Sequence, residues 1–491
     1  MNRRRVAVIG GGLGGMTAAG LLARGGCDVT LLEKTAALGG KAQSRTWGAV
    51  TLDLGPTLLT LPQWVKAVFA ELGQEALTPE LCELEEQCVY HFADGRRFRA
   101  HREVEATAES AAALGASEGE GVRSFYRAAE EVYRAAGEPY LEAPFEGNGR
   151  FMARVMKRGT AALRLGMGLG TLADMATRHF RTPQMQQFAG RFATYTGASP
   201  YRASAAFALI PHIERAFGSH HVRGGMGALV RALEQALERS GVQVRLNAPA
   251  TWSPVRGRGY RVTTPDGEAS YDAVVVNADP LAPLGRLGPN PEPLSLSGYV
   301  LLLEADARAQ LPHHSVIFSA DYRREFDALF AGALPQDTTL YLCHPAATDT
   351  TVAPAGKSGL FAMVNAPPLP AAGTPEGVKA RAAWAEHAAA LREECIRRVV
   401  ELAPELRGKL RVLGERTPLD LEALGAPGGS IYGFLPHGRF GPFKRPKLRG
   451  PTPGLFFAGG GTHPGGGVPL VMRSGQFAAA MALDFLGRRA A

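Results

Sequence analysis

Arg4–Lys34, RRVAVIGGGLGGMTAAGLLARGGCDVTLLEK, carries three local signals in succession. Val6–Ile9 is a short apolar run with β-branched residues and reads as a buried strand. Gly10-Gly11-Gly12-Leu13-Gly14-Gly15 comes next, then the helical pattern MTAAGLLARGG, then a second strand, DVTLLE, ending on Glu33. This succession is a βαβ unit, with Gly10, Gly12 and Gly15 in the G-x-G-x-x-G places. Gly10 allows the tight turn, Gly12 lets the backbone approach a pyrophosphate, and Gly15 lets helix and strand pack closely. The helix start, around Leu13 and Gly14, turns free N–H groups and a positive dipole end towards phosphates. Glu33, with Lys34 beside it, ends the second strand where a carboxylate can accept from ribose hydroxyls. The segment predicts an α/β, Rossmann-like dinucleotide-binding domain.

The residues after the second strand separate the possible dinucleotides. KTAALGGKAQSRTWGAVTLDLGPTLLT (34–60) places Gly39-Gly40-Lys41 a few residues beyond it and Gly55-Pro56-Thr57 further on. Such glycines let the backbone lie against a cofactor longer than the Rossmann crevice, as extended FAD is; ordinary turns are the alternative. The tail, GLFFAGGGTHPGGGVPLVMRSGQ (454–476), repeats the device. A buried strand runs into Gly460 and Gly461, and a last helix begins near Val468 with Pro469 in its first turn. This second helix start, reaching to Met472, suits the flavin end of FAD, where its positive end would stabilise the anionic reduced ring. In the middle of the chain, Ala248-Pro249-Ala250 puts Ala250 near the adenine end. His463, before a proline in a tight loop, reads as a hydrogen-bonding brace and not as a base.

The totals narrow the class. The 491 residues suffice for two or three domains, and the net charge of +8 is compatible with an anionic membrane surface. No zinc-finger spacing or aromatic-basic RNA-binding motif accompanies the charge, which argues against nucleic acid. Five cysteines without metal-ligand spacing fit reduced thiols in a cytosolic protein, and suggest no metal. The apolar run after MNRRR is too short for a signal peptide.

The stretch from 147 to 191 differs in texture. It holds eight Lys/Arg against one acid, Asp174, and five of the chain's eleven methionines. FMARVMKRGTAALRLGMGLGTLADM alternates cations with Met, Leu and Val at near-helical spacing. One reading is an ordinary helix with a core face and a solvated face. The sharper one is a helix on the membrane surface, with a soft methionine face for an apolar ligand.

Together these segments resemble the bacterial-type carotenoid desaturases, flavoproteins that include phytoene desaturase. The resemblance covers nearly the whole chain. It is carried by the N-terminal unit and by LDLGPTLLTLP, VVVNADP, HHSVIFSADYRREFDALF, PAATDTTVAPAGKSGLFAMVNAP and GGGTHPGGGVP. Gly39-Gly40-Lys41, SIYG, HGRFGPFKRPKLR and the tail look most like the carotenoid 3,4-desaturases, which act on hydroxylated or methoxylated acyclic carotenoids. Leu54 stands where the family usually has alanine.

The resemblance implies a discontinuous FAD domain (1–95, 216–290 and 447–491). A helical, membrane-facing region (96–215) and a mixed-sheet substrate domain (291–446) are inserted into it. It implies removal of two hydrogens from a polyene, with a hydride to flavin and a proton to a base or water. No pattern names the base. With one Rossmann fingerprint only, oxygen or a quinone is the expected electron acceptor. The expected location is the cytoplasmic, inner face of the cell membrane. Phytoene desaturase, and a carotenoid isomerase or ketolase of the same fold, are the alternatives within the class. A non-catalytic carotenoid or flavin carrier is the alternative outside it.

Overall fold

The computed structural model describes residues 3–157, 170–257, 259–288 and 291–488. The quoted unit forms strand β1 (Arg5–Ile9), helix α1 (Leu13–Arg24) and strand β2 (Asp28–Leu32). Distant segments complete its sheet: β3 (Gln243–Arg245), β4 (Ala273–Val276) and β5 (Leu455–Phe457). The order is β5-β4-β1-β2-β3, every pair parallel, with Val8 opposite both Leu31 and Val275. These strands are mostly unbroken apolar runs because both faces are covered. Val6 and Val8 point into a core shared with α1, α2 (Met226–Arg239) and α3 (Val468–Arg488). Ala7 and Ile9 point the other way, under a three-stranded antiparallel sheet of residues 251–271.

The second layer is a seven-stranded sheet. It runs Leu410–Arg416, Ser297–Ala305, Ser358–Ala366, Leu340–Cys343, His314–Ile317, Glu86–His91, Arg97–His101. All its pairs are antiparallel except that between His314–Ile317 and Glu86–His91. The hairpin 86–101 therefore straddles the boundary expected at 95/96, and lies wholly in the substrate-side sheet. Helices between 104 and 217 pack on that sheet through a core rich in phenylalanine.

Much of the basic, methionine-rich stretch, residues 158–169, lies outside the described residues. Of the parts that are described, Leu172–His179 and Pro183–Gly190 are helices that bury Met175 and Met185 in the phenylalanine-rich core, and Asn148–Met156 is a helix with two apolar sides. Phe151 and Val155 are buried against Tyr140, Phe145 and Phe443. Met152 and Met156, four residues apart, are exposed, the latter by 62 %. Among the described residues no helix is long and apolar enough to cross a membrane.

Candidate active site

A continuous cavity of about 800 Å³ runs from the glycine turn after β1 to the underside of the seven-stranded sheet. Most of the expected cofactor residues line it: Gly10, Gly12, Leu13, Glu33, Lys34, Gly39, Gly40, Lys41, Gly55, Pro56, Thr57, Ala250, Gly460, Gly461, Val468 and Pro469. Three do not. Gly14 and Gly15 lie behind the cradle, and Met472 is fully buried in the helical core.

Gly10 has φ +101°, and Gly15 sits so close to it that a Cβ there would lie 2.1 Å from the Gly10 carbonyl oxygen. Both roles expected of these glycines, the turn and the close packing, are thus visible. Gly14 serves the crossing of α1 with α3: a Cβ on Gly475 would stand 2.4 Å from the Gly14 carbonyl oxygen. Gly12 is different. Its φ of −73° suits any residue, and an added Cβ would meet only the Asn277 side chain, at 2.8 Å for Nδ2. Only space at the cavity wall explains glycine here. Gly12 caps α1, no side chain caps the helix, and its first turn has no acid. That arrangement fits the pyrophosphate of FAD.

Glu33 is buried and held by three donors. Gly11 N–H donates to Oε2 at 2.7 Å, and Thr35 donates N–H and O–H to Oε1, both at 2.8 Å. A carboxylate accepts about four such bonds, so capacity remains on Oε2 for a ribose hydroxyl. Lys34 and Lys41 are each anchored to a backbone carbonyl, with N–H donors to spare. Lys34 Nζ donates to the Ala423 carbonyl at 2.7 Å, and Lys41 Nζ to the Ile431 carbonyl at 2.8 Å. Burial, opposed by nearby Asp279, lowers the Lys41 pKa to about 8. Its task is to tie the loop after β2 to the loop at 430–431.

At the flavin end, Gly465 and Gly467 have φ +137° and +108°. Gly466 lines the cavity, and a Cβ on it would lie 2.3 Å from the Tyr432 ring, so this glycine also makes room for that side chain. Arg445, buried beneath, donates Nη1–H to the Gly460 carbonyl at 2.7 Å. His463 braces: Nε2 meets the Ala143 carbonyl at 3.1 Å, and the ring packs edge-on to Tyr140 and flat on Phe477.

The sequence reading missed two groups. Asn277 abuts Gly10, Gly12, Gly14, Gly15 and Gly459, and its Nδ2 donates to the Gly10 carbonyl at 3.3 Å. Its position just past the apolar run of β4, in VVVNADP, was the available signal. The second group is the polar wall beside Thr57. Thr57 Oγ1 bonds Tyr341 Oη at 2.6 Å, and Tyr341 Oη bonds His314 Nδ1 at 2.8 Å. Burial, with His221 and Arg191 adding, pushes the His314 pKa down to about 3, so its imidazole is neutral.

Residues 13–483 match the model of the flavin-containing amine oxidoreductases. Hydroxyneurosporene desaturase of Cereibacter sphaeroides is 35 % identical over 504 residues, 99 % of this chain and 98 % of that one. The chain belongs to the flavin-containing amine oxidoreductases, among the bacterial carotenoid desaturases. A Methylomonas 4,4'-diapolycopene oxygenase is 31 % identical, over 97 % of each chain. Putrescine oxidase, solved with putrescine bound, superposes with a TM-score of 0.64 over 98 % of this chain and 99 % of its own. At 16 % identity that likeness concerns the fold. This carotenoid-desaturase relative is accordingly an FAD-dependent oxidoreductase, and the cradle built by Gly12, Glu33 and Asn277 is where its residues fit the cofactor.

Proposed function

We propose that the protein desaturates the C-3,4 bond of an acyclic carotenoid carrying a 1-hydroxyl group. The carrying observation is the continuity of the cavity. It joins the phosphate cradle at Gly12 to a chamber walled by Leu141, Phe207, Ile210, Ile213, Val316 and Phe361. A polyene offers almost no hydrogen bonds, so an apolar chamber beside the flavin must hold it by shape. FAD, when bound, supplies the hydride acceptor. The chain's own residues do the rest. Thr57, Tyr341 and neutral His314 form a fixed hydrogen-bonded wall, while the apolar side chains exclude water and would hold the reacting end of the polyene against the bound cofactor. The second hydrogen would leave as a proton to a base or water, and oxygen or a quinone would be the final electron acceptor.

Expression in a host making 1-hydroxylated acyclic carotenoids tests the reading, beside a host making only phytoene. The expected product has lost two hydrogens per reacted end and absorbs further to the red. Conversion of phytoene to lycopene, with the hydroxylated polyene untouched, would transfer the assignment to phytoene desaturation.

The carotenoid partner is reached from a membrane. The helix Asn148–Met156 lies over the cavity-lining residues Tyr140 and Phe443; its exposed Met152 and Met156 stand beside exposed Lys157 and half-buried Arg154, while Arg150 is paired with Glu146. Near an anionic bilayer each such cation contributes about 1 kcal/mol, weakening with salt. Co-sedimentation with anionic liposomes is expected, and Arg154→Glu with Lys157→Glu should cut the bound fraction several-fold at low salt. Unchanged sedimentation would leave this helix a domain element only, and with it the inner-membrane location would lose its support.

A further inference from the structure

Most of the cavity wall is apolar, yet a buried ion pair forms part of it. Arg191 and Glu214 both line it, with side chains 11 % and 5 % exposed. Arg191 Nη2 donates to Glu214 Oε2 at 3.1 Å and Nη1 to Tyr195 Oη at 3.1 Å; Tyr195 Oη donates to Glu214 Oε1 at 3.0 Å. The guanidinium is immobilised against the rings of Phe192, Tyr90 and Tyr195, at 4.5, 5.1 and 5.3 Å. Its Nε–H has no partner among the described residues. That Nε–H is sealed from the cavity, but a charge pair kept in a wall beside hydrocarbon is costly to bury, and suits a polar group on the ligand.

We infer that Arg191, Glu214 and Tyr195 are the seat of the hydroxyl at the reacting end of the carotenoid, and so decide which polyenes are accepted. The inference rests on the C-3,4 reading, and it deepens it. In an extended chain the C1 oxygen is three to four single bonds of about 1.5 Å from C3 and C4, hence roughly 4–5 Å away. The seat must therefore adjoin the flavin and not the far end of the chamber. The cluster lies on the wall that also carries Thr57, Tyr341 and His314. Arg191 packs on the ring of Tyr90, whose strand pairs directly with His314–Ile317. The chemistry is also matched. The Glu214 carboxylate accepts the substrate O–H, and the guanidinium N–H groups donate to the substrate oxygen. A methoxyl group can use only the second half of this arrangement; a plain hydrocarbon end uses neither.

The test compares three polyenes of equal length, ending in hydroxyl, methoxyl or hydrogen, with the FAD-loaded enzyme. Both kcat/KM and binding, read from the shift of the carotenoid absorption band, are measured. The wild type should prefer hydroxyl over hydrogen by about a hundredfold or more, with methoxyl between. Tyr195→Phe, which keeps the ring, and Glu214→Gln, which keeps the shape, should each cut that ratio about tenfold or more, through KM and binding of the hydroxylated polyene. Arg191→Lys gives a third variant should Glu214→Gln not fold. A purely structural cluster would lower turnover of all three polyenes alike and leave the ratio unchanged; that result would overturn the inference. Absence of any wild-type preference would overturn it as well. Wild-type enzyme that ignores all three but converts phytoene would instead remove the C-3,4 reading itself, and the seat with it.

Discussion

Gly12→Val is expected to give folded, colourless protein, with FAD affinity lower by about a hundredfold or more and activity lost with it. A hundredfold corresponds to about 2.7 kcal/mol, within reach of one misplaced isopropyl group against a pyrophosphate. The expectation of a retained fold comes from geometry. Gly12 has an ordinary φ, and the nearest atom to an added Cβ is the end of the Asn277 side chain, which can turn aside by giving up its bond to the Gly10 carbonyl. The methyl groups would then stand in the cavity, over the uncapped start of α1. Gly15→Val is the contrasting variant. Its Cβ would meet a backbone carbonyl at 2.1 Å with nowhere to move, so the fold itself should fail, seen as insolubility or a much lower thermal midpoint. Flavin absorbance after purification and circular dichroism distinguish the two outcomes. A Gly12→Val protein that keeps full FAD would dismantle the phosphate assignment.

That contrast also shows what the sequence could carry. The glycine turn, Glu33 and the βαβ unit are local: each role is set by residues within about thirty positions, and a periodic pattern with punctuating glycines is enough to read them. The tail was legible only in part. Its Gly460, Gly461 and Gly466 do line the cavity, the last also making room for the Tyr432 ring, but Met472 points into the core shared by α1 and α3. Helical spacing places a residue on a turn and not on a face when both faces are apolar. The groups that were missed are products of tertiary pairing. Thr57 meets Tyr341 across 284 positions, and Asn277 reaches back 267 to Gly10. Arg191 and Glu214, only 23 apart, belong to different helical segments, and nothing in either announces the partner. The hairpin 86–101 was divided for the same reason: its sheet is completed by strands from beyond residue 296. Function here is built where the two sheets meet, and that meeting is a property of topology.

His463 gives a prediction about pH whose sign follows from burial. The side chain is fully buried, and burial, only partly offset by the Ala143 carbonyl and reinforced by Arg445 and Arg154, holds its pKa down to about 3. In the unfolded chain the ordinary value is about 6.5. Between these two values the unfolded state binds a proton that the folded state does not. The stability tied to this group is therefore complete above about pH 6.5, falls as the pH drops, and levels off below about pH 3. At pH 4.5 the loss is about 2–3 kcal/mol. Buried Asp53 and Glu325, whose pKa values burial raises, act in the opposite sense. The measurement is therefore a difference between two proteins that both contain them. His463→Gln keeps a donor for the Ala143 carbonyl but cannot titrate. Urea midpoints of wild type and variant, taken from pH 7 to pH 4.5, should show the wild type losing about 2–3 kcal/mol relative to the variant. The gap should close by roughly 1.4 kcal/mol per pH unit once the pH is below 6. A gap independent of pH would mean that the imidazole titrates in the folded protein as it does in the unfolded chain, and so is no buried neutral brace. His314, nearly as buried and also held down to about 3, supplies the same slope a second time at the cavity wall. Acid should thus loosen the tail loop at His463 and the Tyr341 wall over the same range of pH, releasing FAD as the fold gives way.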